Sequence, residues 1–116
     1  MSSAQKQGTV KSLSANIKTF IDENYKGSIS IKVIADNFFI SPSTACQYFK
    51  NDYNISIKKY INEKRMLEAK KLIEKGENFK SISSQLGFKN YSTFFRAYKK
   101  HFGASPSKKT IKLLIY

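Results

Sequence analysis

Two stretches decide the fold, residues 30–54, SIKVIADNFFISPSTACQYFKNDYN, and residues 78–103, NFKSISSQLGFKNYSTFFRAYKKHFG. They are two versions of one pattern. Each begins with a residue that can cap a helix, Ser30 or Asn78, and continues with apolar residues at helical spacing. The second part of the pattern begins with another cap, Ser41 or Asn90. The offset between the copies is 48 residues at the first cap and 49 at the second. The pattern predicts a helix, a tight turn and a second helix, used twice.

The inward face of each helix follows from these spacings. In the first helices the inward positions match as Ile31, Ile34, Ala35 and Phe38 against Phe79, Ile82, Ser83 and Leu86. In the second helices they match as Ala45, Phe49 and Tyr53 against Phe94, Tyr98 and Phe102. Pro42 follows the cap Ser41 at the first helical position, where a missing N–H costs nothing. The two copies should therefore share one scaffold.

Further helices surround the two copies. Apolar residues at helical spacing from Val10 predict a first helix that ends near Gly27. Ser56 caps a longer helix that Gly76 stops, and its apolar side is Ile57, Ile61, Ala69, Leu72 and Ile73. From Ile57 to Glu74 this helix would span about 27 Å at about 1.5 Å per residue. Ser105 and Pro106 are expected to open a short last helix.

We therefore expect an all-α fold of about seven helices, in which a long linker helix joins two helix-turn-helix subdomains. The expected parts are a flexible N-terminal tail at residues 1–8, a first subdomain at 9–55, the linker helix at 56–75 and a second subdomain at 76–116.

The charge of the chain points to a polyanionic partner. Twenty-one Lys and Arg against eight Asp and Glu give a formal net charge of +13, which favours nucleic acid or an acidic membrane surface. No run of about 18 apolar residues is present and the N-terminus lacks the apolar core of a signal peptide, so we expect a cytoplasmic protein without a membrane partner. One Cys and one His cannot form a four-ligand zinc site or a structural disulfide. No metal and no cofactor are expected.

The outward face of each second helix is found by subtraction from its inward face. In a helix-turn-helix the second helix enters the major groove and presents its exposed side chains to base edges. We name the outward residues of the first copy the first reading face: Ser43, Thr44, Cys46, Gln47 and Lys50. Those of the second copy are the second reading face: Tyr91, Ser92, Phe95, Arg96 and Lys99. These ten residues are the predicted DNA contacts.

Gln47 and Arg96 occupy matching positions on the two reading faces. A glutamine amide pairs with the N6 and N7 edge of adenine, whereas a guanidinium pairs with O6 and N7 of guanine. Tyr91 and Phe95 place aromatic rings on an otherwise polar face, where thymine methyl groups are suitable contacts. The two half-sites should therefore differ in base sequence.

Three segments of the sequence resemble the patterns of AraC/XylS-type transcription regulators. The first helix-turn-helix of that family is matched by Ile34, Ala35, Ile40, Ser41, Pro42, Ser43, Phe49 and Lys50. Its linker helix is matched by Tyr60, Arg65, Ala69, Leu72 and Ile73. Its second-unit signature is matched by Ile82, Leu86, Gly87, Phe88, Ser92, Phe94, Arg96, Tyr98, Lys99, Lys100, Phe102, Gly103, Ser105 and Pro106. The departures are Gln47 where Arg is common, Phe39 at a usually small or polar turn position, and Lys109 and Thr110 in place of Tyr and Arg.

The resemblance implies a seven-helix domain that binds promoter DNA as a monomer. Its two recognition helices would enter adjacent major grooves, about 34 Å or one turn of B-DNA apart. By the same resemblance the chain is expected to be a bacterial transcription activator, with RNA polymerase as a candidate further partner.

Two other classes of function remain open. A basic module could coat nucleic acid without reading its sequence, or chiefly dock RNA polymerase, and the charge alone does not choose. Enzymatic function is the weakest reading, because no paired carboxylates, no nucleophile with its base and no phosphate-cradling glycine loop are present. We predict that the protein is not an enzyme and has no catalytic residues.

Overall fold

The computed structural model describes residues 10–104, with side chains from residue 13 onward, and this part of the chain is helical without strands. Its six helices are α1 Val10–Asn24, α2 Ile31–Asn37, α3 Pro42–Tyr53, α4 Ile57–Glu74, α5 Phe79–Gln85 and α6 Tyr91–Phe102. The predicted all-α fold is confirmed. The helix expected at Ser105 and Pro106 and the tail expected at residues 1–8 lie outside the described residues.

Side-chain caps begin the four helices of the repeat, as the sequence predicts. The Ser30 and Asn78 side chains accept hydrogen bonds from the amides of Val33 and Ser81, at 3.1 and 2.8 Å. At the second helix of each copy, the Ser41 and Asn90 side chains accept hydrogen bonds from the amides of Thr44 and Thr93, at 3.1 and 2.9 Å. Each cap satisfies an amide that has no partner inside its helix, so the helix starts are determined by local chemistry.

Left-handed residues end the same four helices. Phe39 and Gly87 follow α2 and α5 with φ of 58° and 81°, and Asn54 and Gly103 follow α3 and α6 with φ of 58° and 78°. The turn hydrogen bonds match as well, from the Ile40 amide to the Ala35 carbonyl at 3.0 Å and from the Phe88 amide to the Ser83 carbonyl at 3.3 Å. The two copies thus share their turn geometry up to Ile40 and Phe88.

Lys89 is the residue that changes the offset from 48 to 49. It stands between Phe88 and the cap Asn90, whereas Ile40 in the first copy is followed at once by the cap Ser41. Its side chain is exposed. The second turn is therefore one residue longer than the first.

The described residues form two compact units. The first contains residues 10–24 and 29–61, and its buried apolar residues include Ile17, Ile34 and Phe49. Within it α3 packs against both α1 and α2. The Ser14 hydroxyl, which is fully buried, donates to the Tyr48 carbonyl at 3.1 Å.

The second unit contains residues 25–28 and 62–104, so it takes in the short segment that follows α1. Its buried cluster is Met66, Ala69, Leu72, Ile82, Leu86, Phe88, Phe94 and Tyr98. Most of these residues lie on the inward faces predicted above. Met66 is fully buried although the predicted apolar side of the linker helix omits it.

The Tyr98 hydroxyl is buried without a hydrogen-bond partner within residues 13–104. Tyr98 is 0% exposed, and burial raises the pKa of its phenol above the ordinary value. The matching residue of the first unit is Phe49, which fills the same inward position without a polar atom. A buried polar group that makes no hydrogen bond costs stability.

Tyr98→Phe is therefore expected to raise the free energy of unfolding by about 1–2 kcal/mol, because the substitution removes the buried hydroxyl and keeps the ring. Urea denaturation with an unchanged m-value checks this. Phe49→Tyr is the mirror-image variant and should lower the free energy of unfolding. A loss of stability in Tyr98→Phe would show that the hydroxyl makes a hydrogen bond after all.

Candidate nucleic-acid interface

The first reading face lies on the outward side of α3. Ala45 and Phe49 are both 0% exposed, which turns the opposite side of the helix outward. On that side Ser43, Gln47 and Lys50 are exposed, and Thr44 and Cys46 are half-buried. All five predicted residues thus belong to one helix face that begins at the capped end.

Thr44 also belongs to the cap of α3. Its hydroxyl accepts a hydrogen bond from the Ser41 hydroxyl at 2.8 Å, while its amide donates to the same Ser41 oxygen. At the matching position the direction is reversed, and the Thr93 hydroxyl donates to the side-chain oxygen of Asn90 at 3.0 Å. Thr44 therefore has a structural role besides its predicted one. Sequence reasoning named only the cap residue and not this second hydroxyl.

The second reading face lies on α6. Phe94 and Tyr98 are fully buried, Ser92, Arg96 and Lys99 are exposed, and Tyr91 and Phe95 are half-buried. The helix contains no acidic residue, whereas its last turn contains Lys99, Lys100 and His101. Cations near a helix C-terminus interact favourably with the helix dipole, so Lys99 and Lys100 stabilise α6 as well as making it basic.

Tyr91 and Phe95 form an aromatic pair on this face. Their ring centroids are 6.1 Å apart, and the Tyr91 ring is also 6.0 Å from Phe94 in the core. Such contacts are typical of tilted aromatic pairs that support each other's orientation. The two rings present a partly covered apolar surface at the start of α6, next to Arg96 in the sequence.

Gln47 and Arg96 are free to bind a ligand. Within the described part of the chain neither side chain has a hydrogen-bond or ion-pair partner. Both are exposed at matching positions of their helices. Their amide and guanidinium groups are therefore available for the different base edges that each matches.

The turns that precede the two reading helices differ in their surroundings. In the first turn Phe39 is 95% exposed, while the Phe38 ring packs edge-on against Phe20 of α1 with the ring centroids 5.8 Å apart. The second turn is packed, because a Cβ built on Gly87 would lie 2.5 Å from the Gly27 carbonyl oxygen and 2.9 Å from that of Lys26. Both turns therefore contact another segment of their own unit, the turn before α3 through the Phe38 ring and the turn before α6 through the backbone at Gly87.

The described residues offer neither a metal site nor a membrane-spanning helix. Residues 10–104 contain no group of three or more His, Cys, Asp or Glu arranged to hold a metal ion. No helix in this range has the length and apolar character needed to cross a membrane.

Two bacterial regulators are similar in sequence. The Msm operon regulatory protein of Streptococcus mutans is 31% identical over 105 residues, which are 90% of this chain and 38% of that protein. The virulence regulon transcriptional activator VirF of Yersinia enterocolitica is 30% identical over 93 residues, 79% of this chain and 34% of that protein. The chain thus spans little more than a third of the length of these relatives.

A solved structure and a family model also match this chain. The DNA-binding domain of the transcriptional factor AdpA, solved in complex with a target DNA, has a TM-score of 0.77 at 16% identity and covers 88% of this chain and 93% of that domain. A family model described as a helix-turn-helix domain matches residues 34–110, more than half of the sequence. The chain therefore belongs to the helix-turn-helix domain family of the AraC type.

Proposed function

We propose that this chain is the DNA-reading part of a bacterial transcription regulator. The observation that carries the proposal is the pair of helix-turn-helix units, each with a capped second helix whose outward face is polar and unoccupied by other parts of its own unit. The net charge of +13 supplies attraction to the phosphate backbone. Relatives named as regulators of operons and regulons support the role.

The reading helices α3 and α6 enter adjacent major grooves, and α2 and α5 brace them. Gln47 pairs with adenine in one segment and Arg96 with guanine in the other. Tyr91 and Phe95 contact thymine methyl groups beside the Arg96 contact. Lys50 and Lys99, further along the helices, contact phosphates or base edges. Ser43, Thr44, Cys46 and Ser92 complete the two surfaces.

The regulatory role extends this binding. We infer activation of transcription, because one relative is named an activator, and contact with RNA polymerase on the bound promoter. Two reading helices in one chain allow binding as a monomer, whereas a single helix-turn-helix normally requires a dimer to contact two grooves. The site of action is the bacterial cytoplasm, and the role is binding without catalysis.

Selection of bound sequences from a random DNA pool, followed by footprinting of the selected site, tests the function. We expect protection of two major-groove segments whose centres are about 34 Å, one helical turn, apart. We also expect different base sequences in the two segments. Protection of one segment only would contradict the proposal.

A module that binds nucleic acid without reading it is the second candidate, because the charge of +13 would attract such a module to the phosphate backbone as well. Competition between the selected site and a scrambled site at one salt concentration separates the two. Nonspecific binding depends on salt, with a slope of about −0.9 per neutralised phosphate, and ignores sequence. Equal affinity for both sites would establish this second candidate in place of the first.

A further inference from the structure

Arg65 is a buried cation whose polar partners within residues 13–104 are backbone carbonyls. The residue is 9% exposed, its Nε donates to the Tyr25 carbonyl at 2.8 Å, and its Nη2 donates to the Gly27 carbonyl at 3.0 Å. Burial lowers the pKa of the guanidinium from its ordinary value, although an arginine stays protonated in proteins. Because burying a charge is costly, a cation held in this way suggests a specific role.

The same guanidinium also contacts the second turn. Its central carbon lies 5.0 Å from the centre of the Phe88 ring, which is within the range of a cation–π contact. Phe88 is 9% exposed, and its ring centroid is 5.4 Å from that of Phe94 in the first turn of α6. A continuous line of contacts therefore runs from α4 through the turn to the start of the second reading helix.

The segment after α1 completes this support. Lys26 and Gly27 lie against Gly87, and Lys26 also pairs with Glu68 of α4 at 3.4 Å. Arg65 thus ties the 25–28 segment and the second turn to the same helix. The first turn is held differently, since Phe39 is almost fully exposed and the Phe38 ring packs against Phe20 of α1.

We propose that Arg65 is a positioning residue for the second reading helix. The Asn90 cap sets the first residue of α6, and by holding Phe88 the Arg65 side chain fixes the position of this helix start within the second unit, and so where the Arg96 guanidinium meets a base edge. Hydrogen bonds weaken steeply as their geometry departs from linearity, so a bidentate contact depends on such support. Arg65 has this role only if α6 reads DNA, so the inference rests on the proposed function and goes beyond it.

Two conservative variants test this role. Arg65→Lys keeps a positive charge but lacks the planar fork, and Phe88→Leu keeps apolar volume but lacks the ring face. The DNA segments that Arg96 and Gln47 contact in the proposed complex are called the Arg96 segment and the Gln47 segment. Each variant is titrated at fixed salt with the selected site and with two further sites, one with a changed base in the Arg96 segment and one with a changed base in the Gln47 segment. Thermal unfolding is measured alongside. Lys71→Met removes an exposed charge from the same helix and is the matched control.

We expect the wild-type chain to prefer the correct base in the Arg96 segment by about 5- to 150-fold. In the folded fraction of Arg65→Lys and Phe88→Leu this preference should fall to within about threefold of unity, while the preference in the Gln47 segment persists. Lys71→Met should keep both preferences. A loss of base preference in the Arg96 segment alone would show that Arg65 positions α6.

Two results would overturn the role of Arg65. One is a folded variant, of either kind, that keeps the full preference in the Arg96 segment. The other is an equal loss at both segments in proportion to the unfolded fraction, which would assign Arg65 to stability alone. A wild-type chain without preference in either segment would instead reject the proposed function, so the two failures are distinguishable.

Discussion

Gly87→Ala is expected to lower the free energy of unfolding by about 2–5 kcal/mol, the largest loss of stability that we predict for a single methyl group. Gly87 has φ of 81°, where a residue with a Cβ is strained by about 1–2 kcal/mol. The added Cβ would also meet the Gly27 carbonyl oxygen at 2.5 Å and the Lys26 carbonyl oxygen at 2.9 Å. Both atoms belong to backbone, so the clash cannot be relieved by a side-chain rotation. Chemical denaturation measures the loss.

Gly103→Ala is the control for the backbone strain alone. Gly103 has φ of 78°, and a Cβ there would have no atom within 4 Å. Its substitution should therefore cost only the conformational part, about 1–2 kcal/mol. Equal losses for the two variants would mean that the second turn moves away from residues 26–27 without cost, in disagreement with the packing described above.

Arg96→Ala is expected to remove the preference for guanine at one position of one segment, a loss of about 1–3 kcal/mol in discrimination. The reason is that its guanidinium is exposed, without a partner in the described part of the chain, and central on the second reading face. Competition titrations with single-base variants of the selected site, at fixed salt, measure the change. Discrimination in the other segment should persist.

Two further substitutions distinguish base-specific contacts from contacts with the phosphate backbone. Gln47→Ala should abolish a base preference in the other segment, since Gln47 occupies the matching position. Lys99→Ala, if Lys99 contacts a phosphate, should weaken binding to all sequences alike and reduce the salt slope by about one. If Arg96→Ala also weakened all sequences alike, Arg96 would be a phosphate contact and not a base contact.

The helix starts could be predicted from the sequence because capping is local chemistry. Ser30, Ser41, Asn78 and Asn90 each bond an amide three residues ahead, and a side chain that does this is recognisable without the rest of the fold. The inward positions were predictable for a similar reason, since helical periodicity alone separates Phe49 from Gln47. The division of α3 and α6 into core and outward faces follows from these two signals.

What sequence reasoning missed depends on distant parts of the chain. Arg65 bonds carbonyls 38 and 40 residues earlier, and no local pattern reveals such partners. Met66 was left out of the expected apolar side of the linker helix although it fits helical spacing with Ala69 and Ile73, and it is fully buried in the core cluster of the second unit. Phe39 was noted as unusual for its turn, but its left-handed φ is unfavourable for a residue with a Cβ and could not be expected from propensity.

The one-residue difference between the two turns bears on how such a chain can diverge. The second turn contains one residue more than the first, Lys89, while both helix caps, both left-handed residues and the inward positions of the two copies are in step. Surface connections tolerate insertions better than packed helices do. In this repeat the turn is where length varies, and the outward faces are where chemistry varies. Duplicated binding units of this kind can therefore acquire a new preference on one side without a redesign of the scaffold.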